Sequence, residues 1–77
     1  MMILTELRVL YQKHQLVEAV IEPSIQEGGW VVEFRHVQGG FIILTDIDGE
    51  ECQYYDLDLA SQSAMEVGFR QVRVEER

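Results

Sequence analysis

The chain has 77 residues, with 14 acidic and 6 basic side chains and a formal net charge of −8. A chain of this length makes one domain with roughly 60% of its unfolded surface buried, and its 47% of hydrophobic residues excludes a disordered chain. The acidic balance opposes direct binding to nucleic acid or an anionic membrane, because Lys and Arg must neutralise phosphates there, and a single cysteine excludes an internal disulfide.

The first stretch, Met1-Met2-Ile3-Leu4-Thr5-Glu6, has no basic n-region, and no apolar run approaches the roughly 20 residues of a membrane span. A cytoplasmic location is the expectation. Met2 to about His14 reads as a helix, with Ile3, Leu7, Leu10, Tyr11 and His14 on one stripe. Thr5 is a candidate N-cap, with Leu4 and Val9 as a hydrophobic staple; the alternative starts the helix at Met2. Lys13 and His14 suit the negative pole at its end.

Gln15 to Glu22 reads as a strand with Glu18 and Glu22 on one side, ended by Pro23, which has no amide donor. Ser24 to Gly29 is the long polar connection and the expected mobile element. From Trp30 to Tyr55 the pattern predicts three antiparallel strands joined at Gly39-Gly40 and Asp48-Gly49, dipeptides suited to two-residue hairpin loops. Two such loops set Phe34 opposite Thr45, His36 opposite Ile43 and Thr45 opposite Cys52. Strand alternation then places Trp30, Val32, Phe34, His36, Phe41, Ile43, Thr45, Ile47, Cys52 and Tyr54 on a core face. The other face carries Val31, Glu33, Arg35, Val37, Ile42, Leu44, Asp46, Glu51, Gln53 and Tyr55, too apolar to meet only water. A helix of the same chain, or another chain, is expected to cover part of it.

Asp56 is the expected N-cap of a second helix, with Asp58 adding charge to its first turn. Leu57, Ala60, Ala64 and Val67 form its buried stripe, Gly68 ends it and Phe69 follows as an anchor. Gln71 to Glu75 alternates and predicts a final short strand at a sheet edge, and Glu76-Arg77 is expected to fray. The fold class is therefore α+β in two layers: an antiparallel β-meander of about four strands plus a short C-terminal strand, with an N-terminal and a C-terminal helix, in the order α-β-β-β-β-α-β.

The residues that carry chemistry are few. Asp46-Ile47-Asp48-Gly49 departs from a calcium loop: with Gly49 at the sixth position, Leu44 and Tyr55 occupy ligand positions. His14 and His36 lack metal-ligand spacing to a cysteine or to each other. Cys52 stands among Glu50, Glu51 and Gln53, acids that raise rather than lower a thiol pKa. Glu33, Asp46 and Glu51, with Arg35, form the one expected polar cluster, read as a solvated or interface patch. No nucleotide loop or nucleophile elbow is present. Neither a cofactor nor a metal is expected, and the chain is read as not an enzyme.

Several segments together carry a resemblance: Gly-Gly-Trp-Val-Val-Glu-Phe-Arg-His, then Leu44-Thr45-Asp46 with Gly49, Tyr54-Tyr55-Asp56-Leu57-Asp58-Leu59-Ala60, and Val67-Gly68-Phe69-Arg70-Gln71-Val72-Arg73-Val74. They resemble small partition-associated accessory proteins of plasmids and integrative conjugative elements, over about residues 4 to 74. The resemblance implies an accessory role in a mobile element and brings no catalytic residues.

The leading expectation is a non-enzymatic interaction module that self-associates, as a homodimer, or binds a protein partner. Its interface residues would be Val31, Val37, Ile42, Leu44 and Tyr55, rimmed by Glu33, Arg35 and Asp46. One alternative is an acidic regulator of a DNA-binding protein, which binds that protein through its acidic surface or mimics DNA; no direct contact with nucleic acid is expected. Another is small-ligand binding near Trp30, His36 and Tyr54.

Overall fold

The first apolar stripe folds as a helix for the reason its spacing suggests: side chains three and four apart share one face. In the computed structural model, which describes residues 2–24 and 28–76, this helix, α1, spans Leu4–Gln12 and its N-cap is Ile3, not Thr5. Isoleucine offers no acceptor, so the helix start is held from one turn along. The Glu6 carboxylate accepts from the Ile3 amide at 3.3 Å. Val9 is exposed, so no staple forms over Leu4. At the other end the Gln15 amide donates to the Leu10 carbonyl and the His14 amide to the Tyr11 carbonyl, both at 3.0 Å. That pair of bonds is a Schellman motif, and His14 occupies its left-handed position at φ +60°.

Three strands follow: β1 (Leu16–Pro23), β2 (Trp30–His36) and β3 (Phe41–Ile43). Neighbouring pairs among them are antiparallel. The expected mobile connection between β1 and β2 has residues 25–27 outside the described residues. The second helix, α2, spans Leu57–Val67, and the last strand, β4, spans Arg73–Val74. The sheet order is β3-β2-β1-β4, with β4 parallel to β1. The expected antiparallel meander therefore holds for three strands only. The reason is α2, which carries the chain from one sheet edge to the other. β3 and β4 run the same way, as strands joined by a helical crossover do.

Both hairpin loops differ from the expected two-residue form. The His36 amide donates to Gly40 at 3.1 Å and the Gly39 amide to His36 at 2.9 Å, leaving Val37-Gln38-Gly39 as a three-residue loop. In the second loop the Asp46 amide donates to Glu50 at 2.8 Å and the Gly49 amide to Asp46 at 3.0 Å, enclosing Ile47-Asp48-Gly49. Such loops need positive φ at their third residue, and Gly39 (+105°) and Gly49 (+85°) supply it. Asp46 Oδ1 reinforces the second loop by accepting from the amides of Asp48 (2.9 Å) and Glu50 (3.0 Å).

The odd change in loop register turns β3 over relative to β2. The observed partners are Glu33–Ile43, Phe34–Ile42 and Arg35–Phe41. Ile42 and Leu44 therefore join the core side, while Phe41 and Ile43 face the other way. The second three-residue loop reverses the parity again, and Cys52 and Tyr54 pack against the core as expected. The stretch Glu50 to Tyr55 forms no continuous strand. It is tied down by a Thr45–Glu51 bridge, by Cys52 donating to Leu44 at 3.1 Å, and by Trp30 and Tyr54 exchanging backbone bonds at 2.8 and 2.9 Å. Met2 runs beside Leu44, donating to Ile43 at 3.2 Å and accepting from Thr45 at 2.9 Å. It covers part of the outer edge of β3 and fastens α1 to the sheet.

Both helices lie on one face. Leu7, Ala19, Ile21, Val32, Phe34, Leu44, Ala60, Ala64 and Val67 make the core between them and the sheet. Ala60 and Ala64 are fully buried, so α2 approaches closely where larger side chains would hold it off. Phe69 stacks on Phe34 at 5.8 Å and meets the edge of Tyr11 at 4.8 Å, contacts worth about 0.5–1.5 kcal/mol each beyond the area they bury. Gly68 makes this corner possible. Its φ is +142°, and a β-carbon there would lie 2.4 Å from the Tyr11 ring.

Candidate interaction surface

With both helices on one side, strand alternation sets a second group of side chains on the opposite, helix-free face. From edge to edge these are Phe41 and Ile43 of β3, Val31, Glu33 and Arg35 of β2, Glu18, Val20 and Glu22 of β1, and Arg73 of β4. Val20 and Val31 are 1% and 6% exposed, while Phe41 is 50% exposed. The register aligns charges across three strands. Arg35 is the partner of Glu18, and Arg73 stands opposite Val20, next along β1. Arg35 Nε donates to Glu18 Oε2 at 2.9 Å, Arg73 Nε donates to Glu18 Oε1 at 3.1 Å, and Arg73 also donates to Glu75.

The Arg73 bond is the main reason the Glu18 carboxyl lies below its ordinary 4.5; partial desolvation opposes it and Arg35 adds to it. Glu75 is lowered chiefly by the same guanidinium. Arg73 is raised in turn by its bonds to Glu18 and Glu75. The result is an ordered row of alternating charge at the surface, beside an exposed aromatic ring.

The expected interface residues do not form one patch. Val31, Glu33 and Arg35 do share the helix-free face. Ile42 packs against the core and Leu44 is 2% exposed within it, because the hairpin register turned them inward. Val37 is exposed in the first loop, Tyr55 is exposed after the Trp30–Tyr54 pair, and Asp46 is the acceptor that closes the second loop. The expected Glu33–Asp46 pairing is replaced by Glu33 opposite Ile43. The features that sequence reading missed are Glu18, Arg73, Phe41 and Ile43. The alternation of Gln71 to Glu75 signalled a strand, but nothing in it named β1 as the neighbour.

Other chemistry-bearing groups are occupied by local structure. His36 Nδ1 accepts from the Gln38 amide at 3.1 Å and helps close the first loop. Trp30 and His36 stand at opposite ends of β2, about 20 Å apart by strand rise, so the ligand site expected at Trp30, His36 and Tyr54 does not converge. The Cys52 thiol is pushed above its ordinary 9.0 by burial, with Tyr54 opposing and Asp46 adding. Burial also raises Tyr54, whose hydroxyl accepts from Ser63 Oγ at 2.6 Å. Both groups are protonated at neutral pH, the wrong state for a nucleophile or a base. Among the described residues no group of three or more His, Cys, Asp or Glu could hold a metal ion, and no helix is long and apolar enough to cross a membrane. A groove of about 540 Å³ opens between the first half of β1 and the segment leading into β4, lined by Tyr11, Val17, Glu18, Phe69, Arg70 and Arg73 among others.

Compared with known proteins, the chain matches no family model, no curated sequence and no solved structure.

Proposed function

We propose that the chain is a non-enzymatic interaction module that holds a protein partner on the helix-free face of its sheet. One observation carries the reading: α1 and α2 share one face, and the other presents half-exposed Phe41 beside Ile43 and an ordered row of ion pairs. Aromatic and Arg side chains are the types that protein interfaces enrich, and here Arg35 is the cross-strand partner of Phe41. Glu18 already holds the Arg35 side chain in place, which lowers the entropy lost on binding. The accessory role in a mobile element implied by the sequence resemblance is the setting we propose.

The reading is tested by comparing the immobilised chain with a Phe41→Asp variant in extract of the source cell, after circular dichroism shows equal folding. The original chain is expected to retain a protein that the variant loses by about tenfold or more, some 1.4 kcal/mol of binding. Identical retained sets would sink the reading. The second reading, an acidic regulator of a DNA-binding protein, is favoured by the exposed carboxylates of Asp46, Asp48, Glu50 and Glu51 around the second loop. It predicts salt-sensitive binding to a basic protein that Phe41→Asp leaves unchanged.

A further inference from the structure

We propose that two copies of this chain join edge to edge along β4, as an antiparallel pair centred on Val74. This rests on the reading of the chain as an interaction module and names its first partner, a second copy. β4 is the last strand of the sheet, and Arg73 and Val74 are both exposed. The Glu75 amide donates to the Ile21 carbonyl at 2.9 Å, so residues 73 and 75 turn their backbone groups towards β1. By strand alternation Val74 turns its amide and carbonyl outward, the arrangement of a residue ready for a hydrogen-bonded antiparallel pair.

A two-fold axis at Val74 brings its amide and carbonyl against those of the partner's Val74. The same axis sets Arg73 opposite the partner's Glu75, and Glu75 opposite the partner's Arg73. Neighbouring registers fail. Centring on residue 73 opposes two arginines, and centring on residue 75 opposes two glutamates; like charges directly across a pair are destabilising. An edge strand of single-sign charge repels every copy, whereas Arg73-Val74-Glu75 admits one register. The row Arg35–Glu18–Arg73 then continues into the partner's Glu75.

The groove at this edge fits the same arrangement. An antiparallel partner centred on Val74 sets its Glu75 opposite Arg73 and its Glu76 opposite Val72. Both Val72 and Arg73 line the groove, together with Arg70 and with Glu18, which bonds Arg73. The contact is isologous, as in most homodimers. It makes one eight-stranded sheet from two four-stranded ones and joins the two helix-free faces into one platform.

The test is solution mass by size-exclusion chromatography with light scattering at about 100 μM, enough to populate a dimer of micromolar Kd. The original chain is expected at twice its 8.9 kDa. Val74→Pro removes an outward donor and leaves the β1–β4 bonds intact, so it is expected to give a folded monomer. Arg73→Glu and Glu75→Arg, each alone, oppose like charges and are expected to be monomeric. Mixed one to one they restore both cross-strand pairs and are expected to form a heterodimer, a recovery that loss of folding would not show. A monomeric original chain, a dimer that survives Val74→Pro, or no recovery on mixing overturns the proposal. Capture lost through Phe41→Asp from a monomeric chain would overturn the dimer and leave the partner reading standing; the reverse pattern would overturn the partner reading alone.

Discussion

His14 is the one non-glycine residue at positive φ among the described residues. Left-handed backbone brings Cβ close to the following carbonyl and costs about 1–2 kcal/mol, a cost that glycine avoids. His14 is exposed, so removing its side chain sacrifices little packing. His14→Gly is expected to raise stability by about 1 kcal/mol, seen as a higher urea midpoint at unchanged slope. A lower midpoint would mean that the imidazole makes a contact that outweighs the strain. Sequence reading placed His14 on the apolar stripe and at the negative helix pole. It could not place it in the Schellman corner, because that position usually announces itself with Gly or Asn. His36 is a similar case: its spacing suggested a core-face residue, and only the loop geometry makes Nδ1 an acceptor for Gln38.

Elements whose signals are local emerged close to their expected bounds. Asp56 caps α2 as expected, accepting from the Leu59 amide at 2.9 Å, and Ala60, Ala64 and Val67 are buried on the expected stripe. Asp56→Ala is expected to cost about 1 kcal/mol, read as a lower thermal midpoint. No change would show that packing of the alanine stripe alone holds the helix start. The hairpins show where local signals stop. Gly39-Gly40 and Asp48-Gly49 suit a two-residue loop, but Gly39 and Gly49 also suit the third position of a three-residue loop, and both dipeptides take that form. What separates the two is which face of β3 the core accepts. The helices cover Phe34 and Val32, and the observed register sets Ile42 and Leu44 with them in the core and leaves Phe41 and Ile43 on the other face.

Across the whole molecule, Glu18 ties β2 to β4 through β1. Its folded carboxyl lies below the ordinary 4.5, as does that of Glu75. A lowered pKa means that the folded state binds fewer protons than the unfolded chain. The contribution is therefore present above about pH 4.5 and lost as pH falls through the depressed values. Glu18→Gln is expected to lower stability modestly at pH 7, as exposed pairs do, and to make the chain less sensitive to acid. Urea midpoints of the two proteins should draw together as pH falls from about 4.5 through the depressed values. Parallel curves throughout the acid range would show that the row contributes nothing in solution.

Both helices, the cap at Asp56, the stop at Gly68 and the anchor at Phe69 were determined by the sequence itself. Each depends on spacing or on a residue's own backbone preference within a few positions. The expected order α-β-β-β-β-α-β held one strand too many, because isolated bridges tie down Glu50 to Tyr55. The parallel seat of β4, the cover of Met2 over part of the β3 edge, the three-residue loops and the row Arg35–Glu18–Arg73 were decided only by the tertiary structure. Each joins residues distant along the chain, and Glu18 and Arg73 lie 55 positions apart. No local preference encodes such a pairing. It follows from which sheet face two helices can cover together, and from where the crossover through α2 sets the last strand down.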